Sequence, residues 1–259
     1  MNRLPLSDID TLFLDAGGTL ITMNFAIIAR ELAALGAPVA PDLLGRAEAA
    51  ARPLVSRAVA SGGSTEGRDV FSVYVDLVLR RVLPHDDAAR TALVRALVPR
   101  IRFPGRSLEL WNAVIPGVPE ALEALRAAGF RLIVVSNADG TVEEGLTRAG
   151  LRPHLHAVVD SQVVGFEKPD PRIFTHALSL HDSDPARTLH VGDMYAADVV
   201  GARAAGVHAL LLDPHGDWGD VDCAVASDVP TLARRLLEAR GQAPTRARPR
   251  PRDPRRAGP

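Results

Sequence analysis

Ile9-Asp10-Thr11-Leu12-Phe13-Leu14-Asp15-Ala16-Gly17-Gly18-Thr19 is the stretch that decides the fold. An apolar run from Ile9 to Leu14 closes on a carboxylate, and two glycines follow. A short apolar run bounded by turn residues reads as a strand buried on both faces, the form strands take in parallel sheets. Open α/β sheets bind ligands in the crevice outside the carboxyl ends of their strands. Glycines there let a ligand approach the backbone. Asp15 therefore stands at an active-site position.

Working outward, further strands are expected at Phe130 to Ser136, Ala157 to Asp160, Thr188 to Gly192, Val207 to Asp213 and, more weakly, Cys223 to Ala226. Helical spacing fills the intervals: Val118 to Ala128, Val142 to Ala149, Pro171 to Leu180, Ala196 to Ala205 and Leu232 to Ala239. Gly129, Gly150 and Gly206 follow three of these helices, where a C-terminal glycine belongs. Strand–helix alternation of this kind predicts an α/β fold, a doubly wound, Rossmann-like parallel sheet with helices on both faces.

One stretch breaks the alternation. From Phe25 to Trp111 only helical patterns are found: Phe25 to Leu35, Pro41 to Ala60, Asp69 to Leu83 and Asp86 to Val98. Gly36-Ala37-Pro38, Gly62-Gly63, Pro84 and Pro99 read as breaks. Phe103-Pro104-Gly105 and Ile115-Pro116-Gly117 read as return linkers. The expected organisation is a core from residues 1–20 and 116–241, an all-helical insertion over 21–115, and a disordered Pro/Arg-rich tail over 242–259.

Composition narrows the function. The 259 residues are 47% hydrophobic, enough for a sizeable core, and no run is long and apolar enough for a membrane helix. Cys223 is the only cysteine, which excludes an internal disulfide and a multi-thiolate metal site. With no signal-like segment at Met1 to Pro5, a cytoplasmic protein is expected. The net charge of -1 is unevenly spread: six arginines and Asp253 make the tail basic, leaving the rest acidic and unlike a nucleic-acid-binding surface. Lys168 is the only lysine in a chain otherwise rich in arginine.

Four segments stand at successive strand ends: Asp15-Ala16-Gly17-Gly18-Thr19, then Val134-Val135-Ser136-Asn137, then Glu167-Lys168-Pro169-Asp170, then Val191-Gly192-Asp193 with Asp198 five residues on. Taken singly, each has an ordinary structural explanation: a turn former, a helix N-cap, a surface charge. In this order, from Asp10 to Ala226, they resemble the four motifs of the haloacid dehalogenase-like (HAD) hydrolase superfamily. The helical insertion falls where that family carries its type 1 cap.

The resemblance implies a set of roles. Asp15 is the nucleophile that forms an acyl phosphate. Ser136 and Lys168 serve the chemistry. Gly18, Thr19, Ser136, Asn137 and Lys168 contact the phosphoryl group, whose negative charge needs balancing. Asp15, Asp193, Asp198 and the Gly17 carbonyl hold Mg²⁺, a cation that takes oxygen ligands. The implied partner is a small phosphorylated metabolite; neither membrane nor nucleic acid is expected, and nothing in the sequence speaks to oligomeric state.

The chain departs from the pattern at one position. Phosphatases of the family usually carry a second Asp two residues after the nucleophile as acid and base, and here that position is Gly17. Such general acid–base help is worth roughly 10² to 10⁴ in rate. Three readings follow: a phosphatase with its acid elsewhere (Asp139 is one candidate) or with a good leaving group; a 2-haloacid dehalogenase-type hydrolase using Asp15, for which Arg46 is weighed as an anion contact and read instead as a surface charge; or a weakly catalytic binding protein. Dehalogenases of the family need no metal and lack the Gly192-Asp193 pair, which favours the first. Phosphonate cleavage through a cap lysine is excluded, since residues 20–115 hold no lysine. His154, His156 and His190 read as structural, Trp111 and Trp218 as packing residues, and Tyr195 as a surface position at a helix start.

Overall fold

The computed structural model describes residues 4–61, 68–83, 86–102 and 107–242. Along the chain the strands are β1 (Thr11–Leu14), β2 (Ile21–Met23), β3 (Trp111–Val114), β4 (Arg131–Ser136), β5 (Ala157–Asp160), β6 (Thr188–Gly192), β7 (His208–Leu212) and β8 (Ala224–Ala226). Six of them form one sheet in the order β5-β4-β1-β6-β7-β8, and every pairing in it is parallel. β1 lies at the centre, with Leu14 opposite Val134 of β4 and Val191 of β6. The chain leaves β1 toward one edge and later returns to build the other, so Asp15 sits at the switch point where such sheets bind ligands.

Alternation along β1 shows the double winding. Leu12 and Leu14 join one core with Leu122 and Leu125 of α6 (Val118–Ala127), Leu146 of α7 (Val142–Arg148) and Leu232 and Leu236 of α11 (Val229–Gln242). Phe13 faces the other way, into a core with Ile173 and Phe174 of α9 (Pro171–Leu180) and Ala202 of α10 (Gly201–Ala204). All four residues of β1 are buried, which is why the strand reads as an unbroken apolar run. The short helix α8 (Ser161–Val164) follows β5 directly, and the Asp160 carboxylate caps it through the Gln162 N–H.

The inserted helices are α1 (Phe25–Ala34), α2 (Pro41–Ala60), α3 (Arg68–Val82), α4 (Asp87–Ile101) and the single turn α5 (Ser107–Leu110). They have their own apolar core, built around Ile28, Leu32, Leu44, Phe71, Leu79 and Leu97. Each long helix puts one apolar stripe inward, as amphipathic helices must to gain from association.

The structure differs from the sequence expectation in three places. The insertion is not purely helical at its roots: β2 and β3 pair antiparallel, Ile21 opposite Val114, and form the two-strand stem that carries it. Strands of three and four residues are too short to show an alternation of their own. Helix α4 also runs through Pro99 to Ile101 instead of stopping before it. Proline there forfeits one hydrogen bond in the last turn, while burial of Leu97, Val98 and Ile101 rewards continuing. Helix α11 starts at Val229, ahead of the expected Leu232, because Asp228 caps it by accepting from the Thr231 N–H at 2.6 Å.

The expected breaks at Gly62-Gly63 and Pro84, the linker at Phe103-Pro104-Gly105 and the tail beyond Gln242 lie outside the described residues. Gly129, Gly150 and Gly206 all have positive φ, as their place after helices predicts. No helix among the described residues is long and apolar enough to cross a membrane.

Candidate active site

The ends of β1 and β6 bring the three sequence-picked carboxylates, Asp15, Asp193 and Asp198, together. Asp15 leaves β1 with its N–H bonded to the Val191 carbonyl at 2.9 Å. The chain then turns back on itself, and the Gly18 N–H reaches the Ile21 carbonyl at 2.7 Å. Gly18 has φ +68°, and a Cβ there would lie 2.1 Å from Asp193 Oδ2, so both conformation and space demand glycine. The same holds after β6, where a Cβ on Gly192 would fall 2.2 Å from Asp198 Cγ. The glycines make room for the carboxylates.

Lys168 is at the centre. Its Nζ lies 2.8 Å from Asp15 Oδ1 and 2.7 Å from Asp198 Oδ1. The residue is 3% exposed. Burial alone lowers an ammonium's proton affinity, but the two carboxylates more than offset this and hold Lys168 above its ordinary value. The loop that presents it is pinned by Asn137, whose Oδ1 accepts the Lys168 N–H at 2.7 Å and whose Nδ2 donates to the Lys168 carbonyl at 2.8 Å. The Lys168–Pro169 peptide bond is cis.

Asp198 lies in a π-helical stretch, Tyr195–Val200, that runs into α10. π turns occur often at functional sites. Its Oδ1 accepts from Lys168 and from His190 Nε2 at 2.9 Å, and its Oδ2 accepts from the Met194 N–H at 2.8 Å. Burial opposes its charge, yet Lys168 and His190 hold it well below the usual carboxylate range. Burial lowers the proton affinity of His190, so a neutral ring donates from Nε2 while its buried Nδ1 has no partner. Burial raises Asp15, against Lys168. Asp193 is pushed up to about 8 by burial and by Asp15, Asp198 and Glu48, although Arg52 opposes this.

Arg52 was not legible as a site residue. It comes from α2, where Nε and a terminal nitrogen grip both oxygens of Glu48 at 2.9 and 2.7 Å, and Nε also lies 3.2 Å from Asp193 Oδ2. The Tyr74 hydroxyl of α3 closes this buried chain on Glu48. Ser56 Oγ, also on α2, accepts the Ala196 N–H at 2.8 Å. An i,i+4 Glu–Arg pair reads in sequence as a solvent-facing helix pair, so nothing there marked these residues.

The cavity above Asp15 is walled by Gly17, Ser136, Lys168, Asp193 and Asp198 on one side. Val55, Phe71, Tyr74, Leu110 and Trp111 close it from the insertion and its stem. Ser136 is 3% exposed, with its Oγ making only a 3.4 Å contact to the Asn137 carbonyl. Thr19 lies behind the wall, fully buried, with its hydroxyl unpartnered. Asp139 is on the exposed rim and accepts from the Thr141 hydroxyl at 2.5 Å. Arg46 is not in the cavity; it grips both oxygens of Asp217 at 2.8 Å on the surface. Trp218 packs against Tyr195, whose hydroxyl bonds Asp222, and Trp111 both packs and faces the site.

The donor chemistry fits a hard divalent cation. Asp15, Asp193 and Asp198 each offer an oxygen, and these three atoms lie within 4.8 Å of one another. An all-oxygen carboxylate set suits Mg²⁺ and not a softer metal.

A parallel sheet with a buried carboxylate at its switch point, a buried lysine and two further carboxylates is an arrangement suited to a hydrolase, and the comparisons give the class. The haloacid dehalogenase-like hydrolase family model matches residues 9–206, and the chain belongs to that family. It is 33% identical over 219 residues to the haloacid dehalogenase-like hydrolase domain-containing protein 3 of Bos taurus, covering 83% of this chain and 85% of that one. It is 34% identical over 126 residues to the glyceraldehyde 3-phosphate phosphatase of Methanothermobacter thermautotrophicus, covering 45% of this chain and 56% of that protein. Among solved structures it resembles the HAD-hydrolase YfnB from Bacillus subtilis bound to magnesium, with TM-score 0.63, 20% identity, and coverage of 88% and 98%.

Proposed function

We propose that this chain is a Mg²⁺-dependent phosphatase that hydrolyses a small phosphorylated metabolite through an aspartyl-phosphate on Asp15. The observation that carries the reading is the Lys168 ammonium fixed between Asp15 and Asp198. Asp15 attacks phosphorus in line with the departing oxygen. Its Oδ1 is held by Lys168, whose charge favours the ionised carboxylate against burial and offsets phosphoryl charge. Ser136 Oγ, which makes only one long contact in the protein, donates to a phosphoryl oxygen. Asn137 positions the Lys168 loop, since its amide is bonded to that backbone, and it also lines the cavity. Asp15, Asp193, Asp198 and the Gly17 carbonyl would hold Mg²⁺, which supplies positive charge to the transferring group. Residues 21–115 serve as a cap that closes over the nucleophile and excludes water.

Arg46 pairs with Asp217 on the surface, as expected of it, and so supplies no anion contact for the dehalogenase alternative. Similarity to proteins named as phosphatases supports the preferred reading. The single cysteine fits a reducing cytoplasm.

The test is phosphate release from acetyl phosphate and a panel of phosphate esters, with and without Mg²⁺. Release is expected to require Mg²⁺ and to fall at least about 10³-fold in Asp15→Asn, as losses of a catalytic nucleophile do. Equal rates in Asp15→Asn and the parent refute the aspartyl-phosphate.

A further inference from the structure

Gly17 leaves the site without the carboxylate that would protonate a leaving group, and the structure shows what stands in its place. A Cβ built on Gly17 would lie 3.0 Å from Trp111 Cζ3 and 3.3 Å from Cε3. The indole lies against Gly17, and a larger side chain there would have to displace it. Trp111 is held from behind: it opens β3 and packs against both the sheet core and the core of the insertion.

Among the described residues, the other acids on the cavity wall are engaged elsewhere. Asp15, Asp193 and Asp198 form the cluster itself. Asp139 is folded onto its own turn, accepting the Thr141 N–H at 3.3 Å and the Thr141 hydroxyl. The Tyr74 hydroxyl is turned onto Glu48, and Glu48 is gripped by Arg52.

Beyond the cluster, the wall is mainly apolar: Val55, Val70, Phe71, Leu108, Leu110 and Trp111. Arg102 joins it with its guanidinium over the Phe71 ring at 4.6 Å. The cavity measures about 170 Å³. An apolar protein cavity of about 150 Å³ takes one benzene ring. Part of that volume lies over Asp15, where the phosphoryl group would sit, so the remainder admits at most one ring-sized group, set mainly against apolar wall with Asn137, Asp139, Thr141 and Arg102 as polar neighbours.

We propose that the substrate carries its phosphoryl group on a weakly basic oxygen attached to an apolar, ring-sized body, as an aryl or acyl phosphate does. This rests on the aspartyl-phosphate reading and names its substrate class. An Asp15 oxygen forms a bond to phosphorus as the bond from phosphorus to the leaving oxygen breaks. The electron pair departs on that oxygen as a phenolate or carboxylate, which needs no proton from the enzyme. Water then forms a bond to phosphorus as the bond from phosphorus to the Asp15 oxygen breaks, its proton passing to the released phenolate, or to solvent where the product is a carboxylate, and the sum is substrate plus water giving phenol or carboxylate plus inorganic phosphate.

The experiment compares kcat/KM for phenyl, benzoyl, benzyl, acetyl and glycerol phosphates on the wild-type protein with Mg²⁺. Phenyl and benzyl phosphate share a ring and differ in the basicity of the leaving oxygen. Phenyl phosphate is expected to be at least about 10²-fold the better substrate, the lower end of what a general acid supplies. Benzoyl phosphate is expected to exceed acetyl phosphate by about 10-fold or more through burial of the ring, and in Trp111→Ala that ratio should collapse toward one. A faster reaction with phenyl than with benzoyl phosphate marks an aryl substrate, and the reverse order an acyl one. Equal rates with benzyl and phenyl phosphate, or glycerol phosphate turned over as fast as either, overturn the proposal and leave the phosphatase standing. No release from any of the five, acetyl phosphate included, removes the phosphatase reading and the proposal with it.

Discussion

Asn137 acts on another residue's backbone, and its deletion separates positioning from chemistry. Its amide donates to and accepts from the Lys168 backbone. Asn137→Ala removes two hydrogen bonds, and about 1 to 3 kcal/mol of stability should go with them. The expected outcome is a lower denaturation midpoint together with a kcat reduced more than KM is raised; an unchanged kcat would show that the Lys168 loop holds itself. His156 gives a second prediction. Its Nδ1 accepts the Leu132 N–H at 3.1 Å, which requires a neutral ring, and burial followed by Arg126 and Arg131 lowers it from 6.5. The unfolded chain therefore binds the proton more readily. The stabilisation is full above the unfolded value near 6.5 and is lost as pH falls toward the depressed folded value. Urea midpoints between pH 8 and pH 5 should fall, and less steeply in His156→Gln. At this scale the sequence was readable where chemistry sits at strand ends: Asp15, Lys168, Asp193 and Asp198 meet as their order implied. Arg52, Glu48 and Tyr74 were not, because a helix pair facing a cavity has the same spacing as one facing water.

At the scale of elements, Gly201 opposes a general rule. Alanine for glycine inside a helix usually stabilises by about 0.5 to 1 kcal/mol. Here a Cβ would lie 2.9 Å from the Pro169 Cα and carbonyl oxygen and 2.9 Å from the Phe174 ring. Overpacking of this kind costs about 1 to 3 kcal/mol, so Gly201→Ala should be destabilising by about 1 kcal/mol. For a chain of this size that is a Tm lower by roughly 2 to 4 °C; a higher Tm would show that the Lys168–Pro169 loop gives way freely. Strands β4, β6 and β7 and helix α9 were legible to within a residue or so, since the strands are nearly continuous buried runs and the helix is a periodic one. The β2–β3 stem was not, because its strands are too short for a pattern. The continuation of α4 past Pro99 was hidden because only the tertiary burial of Ile101 rewards it.

The helical unit meets the sheet through polar contacts of α2, two at the site and one on the surface. Arg52 on Asp193, Ser56 on the Ala196 N–H and Arg46 on Asp217 all run from α2 to loops beyond β6 and β7. That placement was beyond the sequence, which showed an insertion but not which of its helices would lie on the nucleophile. If the three carboxylates bind Mg²⁺ as proposed, the ion stabilises the folded chain by mass action, about 2.7 kcal/mol at a hundredfold excess over Kd. Thermal scans with Mg²⁺ should then exceed scans with chelator by roughly 5 to 10 °C, and Asp193→Asn should lose most of the difference; an equal rise in that variant would place the ion elsewhere. Lys168 has a last consequence. It supplies the only ε-amino group in 259 residues, and it is closed off at 3% exposure. Amine-directed acylating reagents thus find no side chain to modify while the helical unit is seated. The rate at which such a label appears on Lys168 is therefore a direct clock for how often the site opens.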